Sequence, residues 1–328
     1  MRFRRVAKRI TWSIGATLLL LTVLLYGVLP PVLDRLDGTP RPSGPLPQSA
    51  ILPGSVVPTT RFLERPDGRI AYDDSGGAGP LVICVPLLGD LRQEYRLLTP
   101  QLVAAGFRVV TMDLRGHGES SARWPDYSAA AVGSDLVALA QELGAGPAFV
   151  IGTSMAAGAA VWAATEAPAL IAGQVLIGAF VRDNLVGYES SFAGDLLIDA
   201  LFAGPWGAPA WSLYYQSLYP STPPADLARY RGALKANLRE PGRFDALKAM
   251  LAASKSDIEP RLRLVRGPSL IIMGTSDPDF PDPAGEARWI AAQLGSAPVL
   301  VNGVGHYPHA ERPDEVGAVI VEFLQRVS

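Results

Sequence analysis

The sequence predicts an α/β chain: a mostly parallel sheet with helices on both faces and a helical insertion over one edge. Three observations carry this. From Thr60 onward, short apolar runs alternate with longer helical patterns. One of those runs, Ala148-Phe149-Val150-Ile151, passes through Gly152-Thr153-Ser154 directly into an Ala-rich segment. The alternation breaks once, from about 181 to 263, in a stretch of short helical patterns interrupted by Pro and Gly.

The elements follow in order. Thr60–Leu63 and Arg69–Tyr72 flank Pro66-Asp67-Gly68, a hairpin signal. Leu81–Val85 is an uninterrupted apolar run and reads as a buried strand, with the lone cysteine, Cys84, as a small core residue. Leu91–Ala105 reads as an amphipathic helix ended by Gly106, Arg108–Met112 as a strand, and Ser128–Leu143 as a helix ended by Gly144. Strand 148–151, helix 155–166 and strand 173–178 come next. After the insertion come strand 269–273, helix 285–294, strand 298–301 and a closing helix 313–327. Within the insertion, Leu227–Leu238 and Phe244–Ala253 are the clearest helices. Its aromatics, Trp206, Trp211, Tyr214, Tyr215 and Tyr219, suit packing between cap and sheet or the lining of an apolar pocket.

Ser154 stands where a strand turns sharply into a helix, which exposes a hydroxyl at the carboxyl edge of a sheet. A serine becomes a nucleophile when an imidazole removes its proton and a carboxylate orients that imidazole. Both partners follow in the chain, each just past a strand. Asp277 follows strand 269–273, and His306 lies in Gly305-His306-Tyr307-Pro308 after strand 298–301. Parallel strands bring these ends to one edge. Asp279 and Asp183 compete for the acid's place, and His309 for the base's. His117 and Asp113 suit a structural turn.

The 328 residues are 48% hydrophobic and 18% charged, which suits a globular core and argues against disorder. The net charge is −2, unevenly spread. Residues 1–9 hold five basic side chains and no acid; without them 24 basic residues face 31 acidic ones, near −7, and nothing suggests a nucleic-acid partner. Between Arg9 and Asp34 there is no charge, and Ile10–Leu29 is Leu-rich and about long enough to span a bilayer. Pro30-Pro31 is expected to end that helix, with at most a short one from Val32 to Leu36 beyond it. No Ala-x-Ala pattern follows Leu29, which favours an uncleaved signal anchor over a cleaved signal. The expected organisation is a basic cytoplasmic flank at 1–9, a transmembrane segment at 10–33 and a Pro-rich linker at 34–58. The folded domain at 59–328, with its cap at about 181–263, is then extracytoplasmic by the positive-inside rule.

Together the motifs resemble the α/β-hydrolase superfamily over roughly residues 60–328. They are the turn Gly152-Thr153-Ser154-Met155-Ala156, the run Asp113-Leu114-Arg115-Gly116-His117-Gly118-Glu119-Ser120, and Gly305-His306-Tyr307-Pro308 with Glu311-Arg312-Pro313. Two departures stand out. Ala156 replaces the last Gly of G-x-S-x-G, and Val85-Pro86-Leu87-Leu88-Gly89-Asp90 stands where members often carry His-Gly. The resemblance implies catalysis by Ser154, His306 and Asp277, with an oxyanion hole from the Leu87 and Met155 amides. A serine nucleophile separates the chain from the dehalogenase and epoxide-hydrolase branches, which use Asp. The scattered His and single Cys offer no metal-ligand cluster, and no organic cofactor is implied. The expected activity is that of a membrane-anchored serine hydrolase, carboxylesterase- or lipase-like, acting on small apolar esters. The same trio also serves C–C hydrolysis, perhydrolysis and acyl transfer, and the fold does not separate these. The altered Val85–Asp90 segment favours a third reading, a non-catalytic binding protein on the same fold.

Overall fold

The computed structural model describes residues 27–39, 60–183, 204 and 206–328. Eight strands form one sheet in the order β1-β2-β4-β3-β5-β6-β7-β8. They are β1 (Arg61–Arg65), β2 (Gly68–Asp74), β3 (Leu81–Val85), β4 (Arg108–Met112), β5 (Ala148–Thr153), β6 (Ile171–Ile177), β7 (Ser269–Gly274) and β8 (Pro298–Val301). β1 and β2 form an antiparallel hairpin, β2 meets β4 antiparallel, and every pairing from β4 to β8 is parallel. The three central strands β3, β5 and β6 are almost wholly buried, because helices cover both faces. Cys84 is a buried free thiol in β3.

Outside the sheet lie α1 (Leu29–Asp37), α2 (Thr99–Ala104), α3 (Ala129–Leu143), α4 (Met155–Glu166), α5 (Gly207–Ser217), α6 (Leu227–Leu238), α7 (Arg243–Ala252), α8 (Pro283–Gln293), α9 (Pro308–Glu311) and α10 (Pro313–Val327). Two separate hydrophobic clusters fill the two sides of the sheet. One is built on α3, α4 and the cap helices α5–α7, the other on α2 and α10. The parallel register sets Val85 beside Gly152 and Ile177 beside Thr153, so the loops after β3, β5 and β6 emerge together.

Two expectations are corrected. Leu91–Ala105 is not one helix but a 3₁₀ segment, Arg92–Leu97, followed by the short α2. Pro100 lacks an N–H and fits only the first turn of a helix, so the chain restarts there. The short helix expected from Val32 to Leu36 is longer: α1 starts at Leu29, takes Pro30-Pro31 into its first turn and runs through to Gly38 in the left-handed conformation (φ 63°). α1 therefore crosses the boundary expected at 33/34, and it packs on α5. Asp37, buried at its end, is held by Arg231, by Lys235 Nζ at 2.5 Å and by the Ser212 hydroxyl at 2.6 Å. No helix among the described residues is long and apolar enough to cross a membrane; residues 1–26 of the expected flank and span lie outside them, as do 40–59 of the linker.

Candidate active site

Ser154 has φ 59° and ψ −121°, the only positive φ at a non-glycine among the described residues. Such a backbone costs roughly 1–3 kcal/mol and persists only where its surroundings enforce it. Here the Ser154 N–H donates to Ile177 O at 2.8 Å, and its carbonyl accepts from Phe180 N–H at 3.1 Å. Gly152 permits the turn, since a Cβ there would stand 2.5 Å from Ala156 O. Ala156 is fully buried, so a small residue is needed there and alanine suffices. The turn leaves Ser154 directly before the first residue of α4, where unpaired helix N–H groups favour negative charge.

His306 is fully buried, with Nδ1 2.7 Å from Asp277 Oδ2. Its ring lies against the stretch that holds Ser154: a Cβ on Gly178 would come within 2.9 Å of Cε1. Nε2 has no hydrogen-bond partner among the described residues. Burial disfavours the imidazolium, yet the Asp277 charge and hydrogen bond, with Asp279 and Glu94 beyond, raise the His306 pKa to about 9.

Asp277 and not its competitors meets the imidazole directly. Asp279 stands 3.8 Å from Nδ1, and both its oxygens accept from the Tyr214 hydroxyl at 2.8 Å. Its N–H donates to Asp277 Oδ1 at 3.0 Å, so it helps to aim the nearer carboxylate. Asp183 instead accepts from the Ser254 hydroxyl and the Lys255 N–H. His117 is buried against Arg115 O, and Asp113 braces its turn by accepting from the N–H groups of Arg92 and Glu119. Asp277, Asp279 and His306 are also the described grouping whose ligand atoms, within 4.8 Å of one another, could hold a metal ion. That role would compete for the Nδ1 that already faces Asp277.

The loop after β3 departs from expectation. The Leu87 N–H, expected to serve an oxyanion, donates instead to Glu94 Oε2 at 2.8 Å. A buried carboxylate is the stronger acceptor and claims the nearest amide. Sequence reasoning missed Glu94. It sits seven residues beyond Leu87 in a segment read as an ordinary helix, and no local pattern marks it. Sequence reasoning also missed Asp90, whose buried carboxylate accepts from the hydroxyls of Tyr215, Tyr230 and Tyr307. Burial, helped by Glu94, raises Asp90 to about 7.

The profile of the alpha/beta hydrolase fold matches residues 79–313. The chain belongs to the alpha/beta hydrolase fold family. Epoxide hydrolase A of Mycobacterium tuberculosis is 26% identical, over 82% of this chain and 98% of that protein. A thermophilic esterase from Thermogutta terrifontis superposes with a TM-score of 0.67 at 22% identity, covering 82% of this chain and 99% of that one. A membrane phospholipase A superposes with a TM-score of 0.66 at 20% identity and covers 98% of this α/β-hydrolase and 99% of its own chain.

Proposed function

We propose that this α/β-hydrolase is a membrane-anchored serine hydrolase, carboxylesterase- or lipase-like, that cleaves esters of apolar acids through an acyl-enzyme on Ser154. The observation that carries the reading is the strained Ser154 turn, set beside a His306 whose Nδ1 is paired with Asp277 and whose Nε2 is unclaimed. In the reaction Nε2 takes the Oγ proton as Oγ attacks the ester carbonyl. Asp277 stabilises the resulting imidazolium and fixes its orientation. The Met155 N–H, at the head of α4, receives the oxyanion. The imidazolium then protonates the leaving alcohol, and water, activated the same way, releases the acid.

The rings of Phe180 and Phe280 lie 4.5 Å apart and flank His306, which supports an apolar acyl group. The anchor rests on the charge-free run 10–29 behind five basic residues, and on the similarity to a membrane phospholipase A over nearly the whole chain. A fluorophosphonate probe tests the chemistry. The full chain in detergent becomes labelled and Ser154→Ala does not; labelling that ignores Ser154, or none, refutes the reading. A reporter fused after Ser328 tests the topology, and activity confined to the cytoplasm would overturn the orientation.

A further inference from the structure

Glu94 is 1% exposed, yet the reaction as described does not use it. Its carboxylate binds the loop after β3 and faces His309 of α9. Oε2 accepts the Leu87 N–H from the loop after β3 at 2.8 Å, while the hydroxyl of Thr153, the residue before Ser154, pairs with the Tyr95 hydroxyl at 2.8 Å. Oε1 stands 3.3 Å from His309 Nε2 without a completed hydrogen bond, and Oε1 and both ring nitrogens of His309 are buried without partners among the described residues. His309 is itself held by stacking on Tyr95, with ring centroids 5.4 Å apart.

The loop this carboxylate grips is a tight turn, closed by Asp90 N–H donating to Leu87 O at 3.2 Å, with Gly89 at φ 74°. Gly89 is pinned from above by Trp211, whose indole N–H donates to its carbonyl at 3.2 Å. Once Glu94 has taken the Leu87 amide, the next amide, that of Leu88, has no acceptor among the described residues. Beside it, across the β3–β5 register, stands the turn that carries Ser154 and Met155.

We propose that Glu94 is the positioning residue of the oxyanion hole: by binding the Leu87 N–H it fixes the β3 loop beside the serine turn and passes the loop's donor role to Leu88. The proposal rests on the hydrolase reading. Other charged groups face this carboxylate: His306 from the loop after β8, His309 from α9, Asp90 from the β3 loop and Arg96 from its own segment. Cys84 and the tyrosines Tyr95, Tyr215, Tyr219, Tyr230 and Tyr307 around it are kept neutral by burial. Burial likewise keeps His309 neutral, at about 3, and pushes Glu94 up to about 7, so above neutrality its charge helps to hold the proton on His306.

Two variants of the full chain test this with a chromogenic ester. Glu94→Leu keeps the volume but strands the Leu87 N–H; kcat should fall about 10²–10³-fold, the scale of one lost oxyanion donor, with KM within about threefold. Glu94→Gln keeps a carbonyl for the Leu87 N–H and offers its NH₂ to His309. It should hold kcat within about tenfold, while losing the charge moves the acidic limb of kcat/KM to lower pH. Equal kcat in all three proteins, or a Gln variant with an unmoved limb, overturns the proposal. If Glu94→Leu fails to fold, the Gln variant decides alone. Wild-type labelling at Ser154 keeps the outcomes apart, since its absence sinks the hydrolase reading and its presence beside indifferent Glu94 variants sinks only this one.

Discussion

Replacing Asp277 with alanine is the sharpest perturbation of the site. Asp277 is buried and meets His306 Nδ1 at 2.7 Å, whereas Asp279 is 3.8 Å away and tied to Tyr214. The rise of the His306 pKa from 6.5 to about 9 is worth about 3 kcal/mol of imidazolium stabilisation at 1.36 kcal/mol per unit. Burial pulls the other way, so the neighbouring carboxylates supply more than that, and Asp277 supplies most of it. Its loss also frees the imidazole to adopt the wrong tautomer. Together these should lower kcat/KM about 10³–10⁴-fold, or roughly 4–5.5 kcal/mol. The assay is kcat/KM for a chromogenic ester across a pH series. The base works as neutral imidazole, so wild-type activity should rise with pH through about 9. In Asp277→Ala burial dominates, and that limb should move well below 9. Asp279→Asn, by contrast, should cost less than about tenfold, because the nearer carboxylate remains. A large loss at Asp279 with near-normal Asp277→Ala activity would reverse the assignment of the acid, and an unmoved limb in Asp277→Ala would refute the electrostatic reasoning.

Two further outcomes follow from the backbone and from the docked helix. Ser154→Gly removes the Cβ from a residue at φ 59°, so it should abolish turnover yet raise unfolding stability by about 1 kcal/mol in a denaturant titration. Asp37→Ala leaves Arg231 and Lys235 facing each other without their shared carboxylate, and thermal melts should show a loss of about 3 kcal/mol. Burial alone would raise the Asp37 carboxyl; Lys235, Ser212, Thr39 and Arg231 lower it below its usual 3.8. A lowered carboxyl stabilises the fold above its unfolded pKa and loses that contribution as pH falls through the folded value. The gap between wild type and Asp37→Ala should therefore narrow as pH falls below the usual carboxylate range, and a gap that does not change with acid would refute the ion-pair account.

The fold was legible because its signals are local. Leu81–Val85 is apolar without a break and forms the fully buried β3; Ala148–Thr153 enters a turn that Gly152 permits. The pairing of Asp277 with His306 was legible because each lies in a loop just past a strand, as Ser154 does, and a parallel sheet gathers those ends. What escaped was set by distance or by proline. Leu91, Tyr95, Leu98 and Leu102 are spaced as on one helix, yet Pro100 forces a restart, and that restart sets the segment that carries Glu94. The Asp37–Arg231 pair joins residues 194 apart, and no periodicity announces a partner so remote. The Leu87 amide was misjudged for a related reason: sequence position locates a backbone donor but does not say which buried carboxylate reaches it first.

Three buried charged residues, Asp90, Arg96 and Asp37, share a task, which is to hold the cap. Asp90 gathers Tyr215 of α5, Tyr230 of α6 and Tyr307 beside His306, so one buried carboxylate ties two cap helices to the histidine loop. Arg96 reaches from the core to Asp226 at the head of α6 with two hydrogen bonds, at 2.8 and 2.7 Å, and Asp37 grips the same helix from the other side. Apolar packing of equal volume would stabilise such an interface as well or better, because buried charges pay for desolvation. Directional bonds, however, permit one orientation of cap on core, whereas a greasy contact permits several. An oxyanion hole tolerates little displacement, and Trp211 of the cap pins at Gly89 the turn proposed to supply one of its donors. The buried polar ties are thus best understood as fixing the cap's register, through which the position of the β3 loop, and with it the geometry around Ser154, is set before substrate arrives.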